Sequence, residues 1–197
     1  MRLEIHQRWF CFGCLFELGL VGIAALLSEL LRQPLLGALQ WHTQDAVWGV
    51  LTALPALLLF VWILKSERAF STTRDFLEEA VRPFFAKWSI WQLAVISLLA
   101  GLCEELLFRG VIQGKLTGLL GPAPAVLLTS LLFGCVHAVN LEYVFVAASM
   151  GAYFGGVWLA NGNLLAPIVA HAFYDFIALV YFLRVHGPRD SARTELH

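Results

Sequence analysis

The sequence predicts an all-α membrane protein: a polytopic bundle of about six transmembrane helices with one amphipathic helix at the membrane surface. Of its 197 residues, 59% are hydrophobic and 14% are charged, whereas a soluble domain has about 45–50% apolar and about 25% charged residues. The apolar residues are gathered into runs close to the ~20 residues that a helix needs to cross a bilayer. We therefore predict one integral membrane domain over residues 1–197.

The apolar runs give the order of the predicted spans. The first run exceeds the ~7–15 residues of the apolar region in a cleaved signal peptide, so we expect it to remain as a membrane anchor. Gly151 and Gly155 are four residues apart in the fifth span, and we interpret them as positions of close helix packing. The six predicted spans cover residues 10–31, 46–64, 90–108, 124–139, 144–159 and 165–183.

The segment 65–88 is predicted to form the amphipathic helix. It is charged, and its Phe, Leu and Val residues recur at helical spacing, a pattern typical of helices at the membrane surface. The chain then divides into three parts. These are two N-terminal spans with the amphipathic segment (residues 1–89), a four-helix core (residues 90–183) and a polar tail (residues 184–197).

The net charge argues against nucleic-acid binding, and the cysteine content argues against a disulfide framework. The net charge is −1 and no basic tract occurs, so we predict no nucleic-acid partner. The four cysteines of such an apolar chain do not form a disulfide framework. We interpret Cys11 and Cys14, a C-x-x-C in the first span, as small apolar residues.

Lysine and arginine are distributed unevenly between the two sides of the membrane. If the N-terminus is inside, ten of the 13 fall in inside segments, and only Arg32, Arg109 and Lys115 fall outside. Positively charged residues accumulate on the cytoplasmic side of membrane proteins. We therefore predict that the N-terminus and the C-terminus are both inside.

Ionisable residues interrupt the third span, and inside a membrane such residues usually mark a functional site. Glu105 and Arg109 are four residues apart, so they share one helix face and can pair. Glu104 lies about 100° further round the helix, and the sequence places no counter-charge beside it. A carboxylate in that position suits a general base or acid.

Two histidines and an aspartate complete this set. His171 and Asp175 are again four residues apart, and His137 lies on a span between the two groups. Three helices can thus direct polar groups to one buried point. Glu104 would take a proton from water and His137 would help to hold that water. The oxyanion formed from a peptide carbonyl would be bound by His171 and Asp175.

The residues alone leave alternatives open. Histidines and carboxylates also suit zinc, although no H-E-x-x-H occurs, so metal dependence is undecided. No serine of the spans lies in a G-x-S-x-G motif. The competing classes are a non-catalytic scaffold and a proton-coupled transporter, which also uses buried carboxylates but commonly shows a repeat that this sequence lacks. Glu17 and Glu29 are interpreted as packing or interfacial residues of the first span.

Three motifs in this region resemble those of one family. "EELLFRG", at Glu104 to Gly110, is similar to an E-E-x-x-x-R motif, "FGCVH", ending at His137, to F-x-x-x-H, and "HAFYD", at His171 to Asp175, to H-x-x-x-N/D. In this order they resemble the CPBP intramembrane proteases, which include type II CAAX prenyl proteases and bacteriocin-processing, Abi-like proteins. Residues 1–89 carry no such motif.

The resemblance implies an intramembrane endopeptidase whose core is catalytic. Glu104 would activate water, assisted by His137. The oxyanion site would be formed by His171 and Asp175. Glu105 and Arg109 would support the site. Asp175 stands where the CAAX-processing members have Asn. Some members are described as metalloproteases, so a zinc-dependent version is an alternative, as is a non-catalytic scaffold or immunity protein.

The resemblance also implies a substrate and a location. The substrate would be a membrane-anchored protein or peptide, such as one with a C-terminal prenylated or sorting-signal segment, met within the lipid bilayer. With the N-terminus inside, the third span runs outward and its glutamates lie near its outer end. This arrangement resembles the small bacterial enzymes linked to surface sorting, and we predict a bacterial cytoplasmic membrane.

Overall fold

The protein folds into α-helices only over the residues that the computed structural model describes, 4–66 and 69–187. Parts of three predictions lie outside them: most of the polar tail, residues 67–68 of the amphipathic segment, and four residues of the charge count, Arg2, Arg68, Arg189 and Arg193. The seven helices of the described segments are α1 (Ile5–Leu31), α2 (Thr43–Lys65), α3 (residues 71–85), α4 (residues 90–120), α5 (Pro122–Val136), α6 (Leu141–Asn161) and α7 (Leu165–Val185). The predicted all-α class is confirmed.

Four of these helices, α1, α2, α6 and α7, are long and apolar enough to cross a membrane. Helix α5 is apolar but shorter, and α4 carries the charged motif in its middle. The six predicted spans fall in these six helices, with differences of a few residues at most ends. Helix α4 continues to Leu120, well beyond residue 108, and α5 ends at Val136, before residue 139. Outward-facing side chains such as Phe12, Leu26 and Leu58 are 60–72% exposed, as expected for a surface in contact with lipid.

Helices α1 and α4 run side by side in the same direction. The ring of Phe10 lies 5.2 Å from that of Trp91, and further along both helices Ala24 packs in one cluster with Leu107. Helices α2 and α7 are also parallel. Phe60 contacts Tyr174 near their middle, and Leu64 and Phe182 share a cluster near their ends. If successive spans cross the membrane in opposite directions, spans one and three must be parallel, and so must spans two and six. Both contacts agree with this.

Consecutive core helices are antiparallel, which brings the three motifs to one level. Phe108 of α4 packs against Phe133 of α5, with ring centroids 4.9 Å apart. One turn back along α4 is Glu104, and one turn on along α5 is His137. Helix α7 crosses α4 at Gly101, beside Ala172. The motifs of three helices therefore meet in the interior.

Helix α3 is amphipathic, as predicted, and it docks on the bundle. Its side chains at 73, 74 and 77 are buried, whereas those at 71, 72, 75 and 79 are exposed. The carboxylate of Glu142 accepts from the Thr73 N–H at 3.1 Å, and the Arg82 guanidinium lies 4.1 Å over the Phe182 ring. Helix α3 therefore lies across the ends of α6 and α7.

The turn between α6 and α7 is joined to the first turn of α2. Gly162 has φ 78°, a conformation that glycine adopts without steric cost. The Asp45 carboxylate accepts from the side-chain amides of Asn161 at 2.9 Å and Asn163 at 2.6 Å. These bonds fix the start of α7, and therefore the height at which its histidine meets α4.

We expect Gly101→Ala to destabilise the fold and to disturb the meeting of α4 and α7. An added Cβ would lie 2.6 Å from the backbone nitrogen of Ala172, and overpacking of this kind costs about 1–3 kcal/mol. Gly118 of the same helix has no other atom within 4 Å of such a Cβ. Gly118→Ala should be neutral or stabilising by about 0.5–1 kcal/mol. Thermal unfolding in detergent compares the two, and equal midpoints would contradict the close crossing.

Candidate active site

The six predicted site residues lie together in the interior of the bundle. Four of them line one cavity of about 150 Å³ between α4, α5, α6 and α7, which we call the central cavity. This volume has room for water. Glu105 and Arg109 are fully buried beside it, each 0% exposed. The central cavity is lined by Glu104, Phe133, His137, Tyr143, Val146, Ala147, Met150, Phe154, His171, Tyr174 and Asp175.

Glu105 is the centre of a buried charge network. Its Oε1 accepts from Arg109 Nη1 at 2.6 Å, so the predicted pair is present. The same oxygen lies 2.9 Å from His171 Nδ1, a contact that the sequence did not predict. A buried carboxylate needs such partners, because an isolated charge is very costly in a low-dielectric interior. Glu105 thereby fixes the ring of His171 relative to α4.

Arg109 and Gln113 are held by backbone carbonyls of α6. Arg109 Nη2 donates to the carbonyl oxygen of Gly151 at 3.0 Å, and Gln113 Nε2 donates to that of Gly155 at 3.2 Å. A Cβ at Gly155 would lie 2.6 Å from the Gln113 side chain. The predicted role of the two glycines in packing is therefore confirmed, and they also leave room for polar side chains of α4.

Part of α4 is π-helical. The helix is α-helical to Glu105 and π-helical over Leu106–Gln113. A π-helical turn has i→i+5 hydrogen bonds. The side chains at positions 105, 109 and 113, each four residues apart, bond to groups of α6 and α7. Segments of π-helix often occur at functional sites.

Glu104 faces the central cavity without a hydrogen-bonded partner for its Oε2 among the described residues. Its nearest imidazole nitrogen is His137 Nε2, at 3.8 Å. His137 Nδ1 lies 2.7 Å from the carbonyl oxygen of Phe133, and because that oxygen can only accept, Nδ1 must carry a proton. A neutral His137 then presents Nε2 as an acceptor. Two acceptors therefore face each other across a gap.

His171 and Asp175 lie on the opposite wall. His171 Nε2 is 3.5 Å from Asp175 Oδ2, as expected for positions four residues apart. The imidazole is stacked on Phe154, with ring centroids 4.9 Å apart and an interplanar angle of 17°. With Nδ1 at Glu105 and one face on Phe154, the ring has little freedom. The Nε2 edge of His171 and the Asp175 carboxyl are the polar groups on this wall of the cavity.

Glu17 lies near the site, although from the sequence we interpret it as a packing or interfacial residue. Glu17 of α1 is only 8% exposed, and its Oε2 has no hydrogen-bond partner in the described part of the chain. It lies on α1 between Phe10, which contacts Trp91 of α4, and Ala24, which packs in one cluster with Leu107 of α4. Glu17 therefore lies close to the site, although its helix carries no motif. The sequence feature that could have indicated this location is a carboxylate in the middle of an apolar run.

The donor set does not converge in the way a metal needs. Zinc sites in proteins use three or four ligands at about 2.0–2.3 Å. Within residues 4–66 and 69–187, no three His, Cys, Asp or Glu side chains are grouped to hold one ion. His171 Nδ1 is already bonded to Glu105. As arranged, these described residues do not fit a metal ion.

The fold and the site define the class: a helical membrane protein with an ionisable cluster buried inside its bundle. Residues 86–177 match the family described as type II CAAX prenyl endopeptidase Rce1-like, and all three motifs lie in this segment. The chain is also 28% identical over 105 residues to "Putative membrane peptidase YdiL" of Bacillus subtilis (strain 168). That match covers 53% of this chain and 43% of the relative. No solved structure matches the chain significantly.

These findings confirm the family that the motifs predicted. Residues 86–177 resemble CPBP family intramembrane proteases, and the chain is an integral membrane protein. The match begins at Ala86, so α1, α2 and α3 lie outside it, although α1 and α2 pack along the matched helices.

Proposed function

We propose that this protein is an intramembrane endopeptidase that hydrolyses a peptide bond of a membrane-anchored protein or peptide, with water activated by Glu104. One observation carries the proposal. An unpaired carboxylate, a histidine acceptor and a His–Asp edge all line the same cavity inside the bundle. The family match supports it. The four helices of residues 90–183 would then be the catalytic core.

The first chemical step is the attack of water on the peptide carbonyl. A water in the gap would give one hydrogen bond to Glu104 Oε2 and another to His137 Nε2, which leaves an oxygen lone pair free to attack. As the new C–O bond forms, the Glu104 carboxylate takes a proton from that water. The electrons of the carbonyl double bond move to its oxygen and form the oxyanion.

The second wall would stabilise this charge until the bond breaks. The oxyanion would accept from the Asp175 carboxyl in its protonated form, beside His171 Nε2, and stabilisation of this kind is usually the largest catalytic contribution. The oxyanion then reforms the carbonyl as the C–N bond breaks. Glu104 returns its proton to the leaving nitrogen, which gives a carboxyl product and an amine and regenerates the base.

The proposal is tested by the purified protein in lipid nanodiscs with a panel of membrane-anchored peptides. The panel contains prenylated C-terminal segments, unmodified sorting-type segments and scrambled controls, each with and without a chelator. We expect cleavage at one defined bond, and persistence in chelator would support a glutamate-activated water. Loss in chelator with recovery on adding zinc would replace this mechanism by a metal-dependent one. No cleavage of any peptide by folded protein would contradict the proposal.

The location proposed for this activity is a bacterial cytoplasmic membrane with both termini inside. The uneven distribution of lysine and arginine supports this orientation. Single cysteines placed in the loops before α2 and before α4 should then react with an impermeant thiol reagent from opposite sides of intact cells. Labelling of both loops from the same side would contradict alternate crossing, and reversed labelling would contradict the orientation.

We expect Asp175→Asn to retain activity within about tenfold of the unmodified protein, or about 1.4 kcal/mol in barrier. With its Nδ1 proton directed to Glu105, a neutral His171 presents a lone pair at Nε2, and a protonated Asp175 would be the donor on that edge. Asparagine donates from almost the same place. Asp175→Ala, which removes the donor, should lose about 10²–10³ in kcat. Equal losses in folded Asn and Ala variants would show that Asp175 acts as an ionised group.

A further inference from the structure

Glu17 of α1 is a buried carboxyl group that the proposed chemical steps do not use. It is 8% exposed, and its Oε2 has no hydrogen-bond partner among the described residues. None of the ion pairs within the described segments includes Glu17. An ionised carboxylate without a cation is very costly in an apolar interior. We therefore assign Glu17 its neutral form, in which the carboxyl O–H group is a hydrogen-bond donor.

The packing of α1 on α4 gives the height of Glu17 in the bundle. One turn before it, on the same face of α1, a Cβ at Gly13 would lie 3.3 Å from Ile96 Cδ1 of α4. The two helices are parallel, and the cluster that joins them further along keeps the same offset. Glu17 therefore meets α4 one turn beyond Ile96, at the height of residue 100. This is one turn short of Glu104.

Two polar groups of α4 lie on either side of this height. Ser97 and Glu104 are seven residues apart, two helical turns, and so share a face of α4. Side chains of a helix lean toward its N-terminus, and in parallel helices they lean the same way. Glu104 therefore leans back toward the height of Glu17, and Glu17 leans back toward Ser97. The walls of the central cavity come from α4 to α7, so Glu17 approaches Glu104 from the side away from that cavity.

Ser97 supplies a second observation that points to a bonded group here. Its side chain is 2% exposed, and its Oγ has no hydrogen-bond partner in the described part of the chain. Serines inside helices often bond to the carbonyl four residues earlier, as Ser130 does at 2.6 Å and Ser149 at 2.8 Å. The Ser97 hydroxyl makes no such bond, so it can donate to a group outside its own helix.

The ionised form of Glu104 needs a donor that the opposite wall does not supply. Its nearest imidazole nitrogen, His137 Nε2 at 3.8 Å, is an acceptor in the neutral ring. The guanidinium of Arg109 is bonded to Glu105 and to a carbonyl of α6. A general base must be ionised before it can take a proton from water. A neutral Glu17 would stabilise that ionised form by a charge-assisted hydrogen bond.

We propose that Glu17 is a positioning residue for the general base: its carboxyl O–H donates to the Glu104 carboxylate, and its carbonyl oxygen accepts from the Ser97 hydroxyl. This inference rests on the proposed endopeptidase function. Glu17 keeps its own proton throughout, so the pair holds one proton before the attack of water and two after it. The chemical steps are unchanged. Helix α1, which lies outside the family match, thereby contributes to the site.

The kinetic test compares two substitutions of Glu17 in nanodiscs with a cleaved peptide. Glu17→Leu removes the donor, and kcat should fall about 10–100-fold, the effect of losing a hydrogen bond to a charged group. The value of KM should not change, because Glu17 does not line the central cavity. Glu17→Gln donates from nearly the same place and should keep kcat within about threefold. Ser97→Ala should have a smaller effect than Glu17→Leu, since Ser97 acts through Glu17.

A matched control and a spectroscopic measurement separate this role from packing. Glu29 is an exposed carboxylate of the same helix, and Glu29→Leu should leave kcat unchanged. Infrared spectra at neutral pH report the carbonyl band of protonated carboxyl groups. The difference between unmodified and Glu17→Gln protein should contain one such band. In a Glu104→Gln background this band should persist at a shifted position, because its acceptor changes from a carboxylate to an amide.

The outcomes separate this inference from the proposed function. Equal losses of kcat in folded Glu17→Leu and Glu17→Gln proteins, or no loss in either, would overturn the donor role and leave the peptidase intact. A missing Glu17 band, or one that Glu104→Gln does not shift, would overturn the contact. This measurement uses only glutamine variants and does not depend on the folding of Glu17→Leu. A shifted band without cleavage of any peptide would support the contact and contradict the peptidase.

Discussion

Glu104→Gln protein should insert and fold normally and should lose about 10²–10⁴ in the rate of peptide hydrolysis, the usual contribution of a general base. Glutamine keeps the shape of the side chain, and the Oε2 atom it replaces has no hydrogen-bonded partner among the described residues. The fold therefore loses no contact seen there. The measurement is kcat at a saturating concentration of a cleaved peptide, with thermal unfolding as the check of folding.

Glu29 provides the control for this substitution. It is a carboxylate on an apolar helix too, but it is exposed near the end of α1. Glu29→Gln should leave kcat and the unfolding midpoint unchanged. A folded Glu104→Gln protein with near-normal turnover would remove Glu104 from the mechanism and direct attention to Glu17, a buried carboxylate to which the proposed chemical steps give no role.

Arg109→Ala should destabilise the fold by about 3–5 kcal/mol, the cost of leaving one partner of a buried ion pair alone. Arg109 is 0% exposed, and its removal would leave the Glu105 carboxylate without its cation, with His171 as its remaining contact, and would leave the carbonyl of Gly151 without its side-chain donor. The cation also lies 4.8 Å over the ring of Phe133, so α5 would lose a contact as well. Thermal unfolding in detergent measures the effect.

Two further substitutions separate charge from packing at this position. Lys115→Ala removes a cation that is partly exposed, further along the same helix, and should change stability by less than about 1 kcal/mol. Arg109→Ala combined with Glu105→Gln should recover part of the loss, because the stranded charge is gone. An Arg109→Ala protein with normal stability but no turnover would mean that Arg109 contacts substrate directly.

The local part of the candidate site could be predicted from spacing, because helical periodicity is a short-range property. Positions four residues apart on one helix share a face, and on this basis the pairing of Glu105 with Arg109 and the proximity of His171 to Asp175 were expected. The bond between His171 and Glu105 could not be predicted in this way. It depends on how α7 crosses α4, which Gly101 and the turn at Asn163 determine.

The ends of α4 and the role of Glu17 show where composition misleads. The predicted third span stops before Arg109, because a charged residue usually marks the edge of an apolar run. In the fold, Arg109 is neutralised inside the bundle by Glu105 and by a carbonyl of α6, so the helix continues to Leu120. From the sequence we interpret Glu17 as a packing or interfacial residue of the first span, because spacing within one helix does not show which residues of α4 it approaches.

The pairing of α2 with α7 has a consequence for biosynthesis. Helices leave the ribosome in chain order, and α2 enters the bilayer early, while the helix along which it packs is the last described one. Until α7 is inserted, α2 must therefore wait in lipid or against temporary neighbours, as in two-stage assembly of membrane helices. Because α7 also carries His171 and Asp175, the ionisable cluster becomes complete in the same event that closes the bundle. Unfinished chains would thus lack both the final packing and the full set of proposed catalytic groups.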